Sequence, residues 1–329
     1  MKKVFKILFW MIGFFILLIL CLVLFVSLTW EKKYEAEYPE IRASSDSTLI
    51  ERGRYLVYGP AHCVACHVPI DQYKAADRGD QLPLIGGGEI KLEVGTFRTR
   101  NLTPDMETGI GKLTDGEVAR ILRHGVGHDG RLIPPFMPFQ DMSDSDLTAI
   151  ISFLRSQEPV SHFVEPSTYT FLGKAVLAFG LLVPESPKVT PPVSVKIDST
   201  VVYGEYLVNS IAECVGCHSP RDLTNGAYIG PKMSGGLAML EPNGHTYVTP
   251  NLTPEPSTGV IANWSEQAFI QRFRAGRIIE GSPMPWGNFA TMHEVELKAI
   301  YRYLKSLDPV VNLVEKTDYA PGEALPEED

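Results

Sequence analysis

Charge is missing from a long run near the start of this chain, and cysteine is scarce throughout it. From Ile7 to Trp30 the sequence ILFWMIGFFILLILCLVLFVSLTW runs for 24 residues without a charged side chain. At 1.5 Å per residue that is roughly 36 Å of helix, enough to cross a bilayer with some tilt. A cleaved leader has an apolar region of roughly 7 to 15 residues and then a small-residue cleavage site, and both are absent here. Cys21 lies inside the run behind bulky Ile19 and Leu20, where lipid attachment would need small residues, so it reads as an apolar helix residue. Lys2, Lys3 and Lys6 precede the run. By the positive-inside rule the N-terminus stays in the cytoplasm of a single-pass protein of the cytoplasmic membrane, and everything after Trp30 lies on the periplasmic side. The few residues left inside give no room for an output domain, which argues against a sensor.

The remaining length, within 329 residues, suits two domains of about 100 to 150 residues. A formal net charge of -9 makes nucleic acid an improbable ligand and favours a protein partner that docks through a basic patch.

Apart from Cys21, the cysteines stand as Cys63 and Cys66 and as Cys214 and Cys217, each pair followed at once by a histidine, His67 and His218. Two disulfides would leave both the histidines and the duplication as coincidences. Zinc or dithiol chemistry would not need the histidine. The C-x-x-C-H pattern is that of c-type haem attachment: two thiols placed to add to the two vinyl groups of one haem, and an imidazole beside them for the iron. Two copies imply two covalently bound haem c groups.

The rest of the chain repeats as well, at a spacing near 150 residues. GRYLVYGPAHCVACH from Gly53 matches GEYLVNSIAECVGCH from Gly204, NLTPDMETGI from Asn101 matches NLTPEPSTGV from Asn251, and FMPF around Met137 answers PMPW around Met284. Each repeat closes with a helical pattern. In the first, Leu147, Ile150, Ile151 and Leu154 share one face, with Ser143 as N-cap and Asp146 at N3; in the second, Leu297, Ile300, Tyr301 and Leu304 do so. Tyr55 and Tyr206, eight residues before the first cysteine of their repeats, are expected on a helix packed against the closing helix, with Phe153 and Tyr303 as aromatic partners.

A six-coordinate iron needs a ligand on its far side, normally Met or His. Met137 and Met284 sit in loops stiffened by prolines and are favoured. Met142 and Met292 align with each other, but stand beside the closing helices, and are kept as alternatives. His62, His124, His128, His162, His245 and His293 do not recur at matching positions.

On these motifs residues 50 to 310 resemble tandem class I dihaem cytochromes c, especially the cytochrome c subunits of membrane-bound bacterial alcohol and sugar dehydrogenases. The resemblance implies an all-α fold, His/Met ligation, and passage of electrons from a dehydrogenase toward quinone or a terminal oxidase, with no substrate chemistry at the haems. This chain has two attachment motifs where those subunits look like triple modules. The expected layout is a cytoplasmic stub and transmembrane anchor (1–30), a solvated tether (31–46), a first cytochrome c domain (47–160), a linker whose apolar run Thr170–Val183 forms a helix packed between the domains (161–200), a second cytochrome c domain (201–312) and a disordered acidic tail (313–329).

The leading expectation is an electron carrier rather than an enzyme, working with redox partners such as a dehydrogenase or respiratory complex. The alternative is a dihaem enzyme, peroxidase-like or thiosulfate-oxidising, with one catalytic haem. His124, His128 and Asp129 are its only candidate acid–base groups.

Overall fold

The computed structural model describes residues 2–222 and 226–325; residues 326–329 of the expected acidic tail lie outside the described residues. The chain opens with α1 (Lys2–Thr29), the one helix long and apolar enough to cross a membrane among the described residues. Only Val26 of its side chains is buried.

The first repeat begins with α2 (Ser47–Tyr58), whose N-terminal amides are capped by Asp46. A short 3-10 turn, Cys63–Ala65, and α3 (Tyr73–Asp77) follow. Next come β1 (Glu89–Leu92), β2 (Gly95–Arg98), α4 (Asp115–His124) and the closing helix α5 (Asp144–Ser156). Ser143 caps α5 by accepting the Asp146 amide, and Leu147, Ile150, Ile151 and Leu154 are buried, as their periodicity requires.

After α5 the chain returns as β3 (Thr168–Tyr169), pairs antiparallel with β2, and enters α6 (Phe171–Ala178). The second repeat follows a similar order, without a counterpart of α3 among the described residues and with α10 added: α7 (Val201–Tyr206) with a π-turn over Leu207–Ile211, α8 (Cys214–Cys217), β4 (Ala238–Leu240), β5 (Thr246–Val248), α9 (Glu266–Arg274), α10 (Trp286–Ala290), the closing α11 (Glu294–Ser306) and β6 (Asp318–Tyr319).

Four expectations change. The fold is mostly helical but not all-α, because each repeat carries a three-stranded antiparallel sheet, β1-β2-β3 and β4-β5-β6. The tail is not free as far as Tyr319: β6 pairs with β5 and buries the Tyr319 side chain. The tether has no regular structure, yet it is strapped along the first repeat. Tyr34 N donates to Gly130 O, Tyr38 lies under the Arg120 guanidinium, Ile41 is buried, and the amides of Ala43 and Ser44 donate to Asp115 and Ser152. Finally, α6 packs on α1 and the β1–β2 hairpin rather than between the repeats.

In both repeats the opening and closing helices cross at backbone contact. An ideal Cβ on Gly53 would stand 1.9 Å from Ala149 O, and one on Gly204 would stand 2.0 Å from Ala299 O. Only glycine allows this approach. Gly53→Ala must push α2 and α5 apart, and its overpacking is expected to lower stability by about 1–3 kcal/mol or more, read from urea unfolding.

Candidate functional site: two matched histidine settings

Each C-x-x-C-H segment starts from a residue in the left-handed region, His62 (φ 40) in the first repeat and Glu213 (φ 52) in the second. This turns the chain sharply out of the opening helix, and the next residues form one tight turn, with the His67 amide donating to Cys63 O and the His218 amide to Cys214 O, both at 2.9 Å. The four motif cysteines are unpaired thiols, so no disulfide closes either segment. Burial pushes the Cys63 and Cys214 thiols up to about 12 and raises Cys66 and Cys217. Thiols held protonated are the reverse of the activated pair that dithiol exchange requires.

Both histidines are buried. Nδ1 of His67 lies 2.8 Å from Arg100 O, and Nδ1 of His218 lies 3.2 Å from Pro250 O. A carbonyl oxygen only accepts, so Nδ1 must carry the proton, and Nε2 is left with a bare lone pair. Burial lowers the basicity of His67 and takes His218 down to about 4, so both rings are neutral at physiological pH. A neutral imidazole fixed by a carbonyl at one nitrogen and open at the other is the arrangement of a metal-ligating histidine.

The carbonyls are themselves held by the N-L-T-P segments, whose role the sequence did not disclose. Arg100 precedes Asn101, and Pro250 precedes Asn251. Asn101 Nδ2 donates to Val160 O (2.8 Å) and Thr108 Oγ1 (3.1 Å), while its Oδ1 accepts from both the amide and the hydroxyl of Thr103. Asn251 repeats each contact, with Val310 O, Thr258 and Thr253. Gly86 and Gly235, with φ near +75°, bring a second strand of backbone against these carbonyls and donate their amides to His67 O and His218 O.

The methionines divide cleanly. Met142 and Met292 are fully buried in the core, whereas Met137 and Met284 are half-buried at its edge in proline-flanked loops. Arginines pin these loops. Arg123 donates to Gln140 O and Met142 O, Arg274 to Ala290 O and Met292 O, and Arg277 to Met284 O while also bridging to Asp77 of the first repeat at 2.6 Å. Two residues beyond Met284, the buried Trp286 Nε1 has no partner among the described residues, so a group bearing acceptor atoms at this loop would satisfy it. The donor set therefore fits a haem c in each repeat: two thiols, a neutral imidazole with a free Nε2, and a thioether-bearing loop.

The remaining histidines have other work. His62 Nδ1 faces Pro60 O, His245 pairs with Asp318 at 2.7 Å, and His293 stacks on Tyr55. His124 meets Ser186, Asp129 accepts the Arg131 amide, and His128 is exposed. The hydroxyls of Tyr55 and Tyr206 bond across to the other repeat. Tyr58, not Tyr55, meets the Phe153 ring, and both Tyr55 and Tyr206 reach the closing helix of the other repeat.

Comparison with known proteins agrees with this geometry. Over 283 residues, 81% of the chain, it is 31% identical to the protein named alcohol dehydrogenase (quinone), cytochrome c subunit, of Gluconobacter oxydans (strain 621H), covering 56% of that protein. It is 28% identical over 285 residues to the gluconate 2-dehydrogenase cytochrome c subunit of Pantoea cypripedii, covering 80% of this chain and 60% of the relative. The chain resembles cytochrome c subunits of bacterial dehydrogenases. It spans little more than half the length of these relatives. A protein named diheme cytochrome c-type from Cereibacter sphaeroides is 25% identical over 264 residues, and there 84% of the relative is covered. No protein-family model matches the chain.

Asn101→Ala would remove the acceptor of the buried Thr103 amide, leave the Val160 carbonyl to the Thr103 hydroxyl alone, and release the carbonyl that orients His67. The expected loss is about 2–3 kcal/mol by urea unfolding. Asn251→Ala is expected to act alike in the second repeat, with the two losses adding in the double variant because the sites are separate.

Proposed function

We propose that the chain is a membrane-anchored dihaem c-type cytochrome, not itself a substrate-transforming enzyme. It would take electrons from a dehydrogenase or quinol-oxidising complex and pass them to a downstream acceptor such as a terminal oxidase. Cys63, Cys66 and His67 would hold one haem, and Cys214, Cys217 and His218 the other, in two cytochrome c domains on the periplasmic side of the cytoplasmic membrane. The single observation that carries this reading is the twice-built histidine setting, with Nδ1 bound by a backbone carbonyl and Nε2 free at the end of each C-x-x-C-H turn.

When bound, a haem c supplies a one-electron ferric/ferrous couple. The protein's part is to hold that couple without rearrangement. The carbonyls of Arg100 and Pro250 keep each imidazole in one tautomer and orientation, and the fixed N–H···O bond raises the donor strength of Nε2. Met137 and Met284 are favoured over Met142 and Met292 as distal ligands because the latter two are spent on core packing. Histidine–methionine ligation would raise the potential of each haem. Held by His67 with Met137 and by His218 with Met284, neither haem would keep a position open for a substrate. The names of the relatives support a dehydrogenase as electron donor.

The test is a haem count and ligand count on the purified protein. Pyridine haemochrome analysis is expected to give two haems per chain, and one in Cys214→Ser/Cys217→Ser. Near-infrared magnetic circular dichroism of the oxidised protein is expected to show two His/Met signatures, with Met137→Ala and Met284→Ala each removing one. A high-spin or bis-histidine haem in the unmodified protein would instead favour the enzymatic alternative.

A further inference from the structure

The apolar segment between the repeats has a place that the electron-transfer reading does not use. Helix α6 is locked to the first repeat by backbone contacts. The Thr170 amide donates to Val94 O and its hydroxyl to Glu93 O, and an ideal Cβ on Gly173 would fall 1.9 Å from Val94 O. From that fixed base α6 packs on the end of α1. The Phe25 and Phe179 rings lie 5.3 Å apart, the Trp30 and Tyr169 rings 5.5 Å apart, Lys174 Nζ stands 4.9 Å over the Trp30 ring, and Val26 is the one side chain of α1 that is buried. Yet Phe171, Leu172, Phe179 and Leu181 remain 49%, 51%, 54% and 66% exposed.

The contact with Phe25 sets the depth. Phe25 lies five residues before Trp30, about 7.5 Å further down the helix axis. The uncharged run of α1 is roughly 36 Å long against a hydrocarbon core of about 30 Å, a surplus of about 6 Å. Even if all of that surplus stood on the side of the repeats, Phe25 would sit at or inside the hydrocarbon boundary, and so would Phe179 beside it. Helices that lie in the membrane surface bury their apolar face to about 5–10 Å, the same depth. Lys174 and Lys32 are positioned near Trp30 and Gly180, where cations reach lipid headgroups.

We infer that α6 and the turn after it form a second membrane contact, which lays the first repeat on the bilayer through Phe171, Leu172, Phe179 and Leu181. The occupant is lipid, because the face is continuous with the anchor helix and stands at its depth. The inference rests on α1 spanning the membrane and is independent of the haem ligands.

The test uses the full-length protein reconstituted alone in phosphatidylcholine/phosphatidylglycerol vesicles doped with a lipid carrying a diazirine in its acyl chain, photolysed and mapped by peptide mass spectrometry. Adducts are expected in α1 and in residues 171–183. They are not expected around Leu240, an equally apolar residue, 75% exposed, on the second repeat's hairpin. Leu172→Glu/Leu181→Glu is expected to reduce the 171–183 adducts at least fivefold while α1 stays labelled. Labelling of α1 without 171–183, or equal labelling at Leu240, overturns the inference. Absence of labelling from α1 overturns the anchor as well, and the haem and ligand counts given above would be untouched by any of these outcomes.

Discussion

Everything in each repeat hangs on one close approach, the crossing of the opening and closing helices at Gly53 and at Gly204. With no side chain between them, the two backbones touch, and the flanking apolar faces close around the point of contact. The crossing fixes the end of the opening helix, from which the C-x-x-C-H turn departs. It also fixes the start of the closing helix, into which the methionine loop runs. The histidine setting and the thioether loop therefore share one rigid reference, although His67 and Met137 are 70 residues apart and His218 and Met284 are 66. A haem held there, as proposed, would change charge with little movement of its ligands.

The two repeats are then joined by an exchange of caps. At an ordinary capping box the N3 carboxylate takes the N-cap amide. Here a tyrosine hydroxyl from the other repeat stands between them: Tyr206 accepts the Ser143 amide and donates to Asp146, and Tyr55 accepts the His293 amide and donates to Glu296. A hydroxyl suits the place because it accepts and donates at once. Two N3 carboxylates drawn into one interface would repel, and Arg52 lies between them, 2.9 Å from Asp146 and 3.1 Å from Glu296. Burial opposes its charge, but the two carboxylates outweigh that and hold it protonated. Removal of one member of such a cluster leaves buried charge uncompensated at a cost of about 3–5 kcal/mol, so the arrangement fixes one relative orientation of the repeats. The Asp77–Arg277 bridge and the seat of Gly287 against Asp77 O carry the same fixation to the Met284 loop.

What was legible in the sequence was what repeats or is local. The two C-x-x-C-H motifs, the periodic closing helices and the Ser143 cap with Asp146 at N3 are short-range patterns, and each lies where its spacing puts it. The sheets are not legible because their strands are only two to four residues long and their third members, β3 and β6, come from segments that read as linker and tail. Tyr55 and Tyr206 lie on the expected helices but bond to the other repeat, since periodicity says which face is buried and not against what. The N-L-T-P segments stood out as repeated text. Their function, bracing the carbonyl that orients each histidine, became visible only when Arg100 and Pro250 were seen beside His67 and His218.

The duplicated fold does not give two equivalent sites. In the first repeat an unbroken series of ring contacts, each about 5.5 Å, runs from Trp30 through Tyr169 and Phe97 to Phe136, the neighbour of Met137. The second repeat keeps the sheet positions as Tyr319 and Tyr247, but Tyr247 stacks on His245 and donates to Glu280 O, and its Met284 loop is braced instead by Asp77 of the first repeat. The first methionine loop is thus built on the base of the apolar helix, and the second on the other repeat. With the helix as anchor, the first methionine loop is tied to the membrane base and the second to the first repeat. A symmetric pair of cores has been made directional by which surface each distal loop leans on.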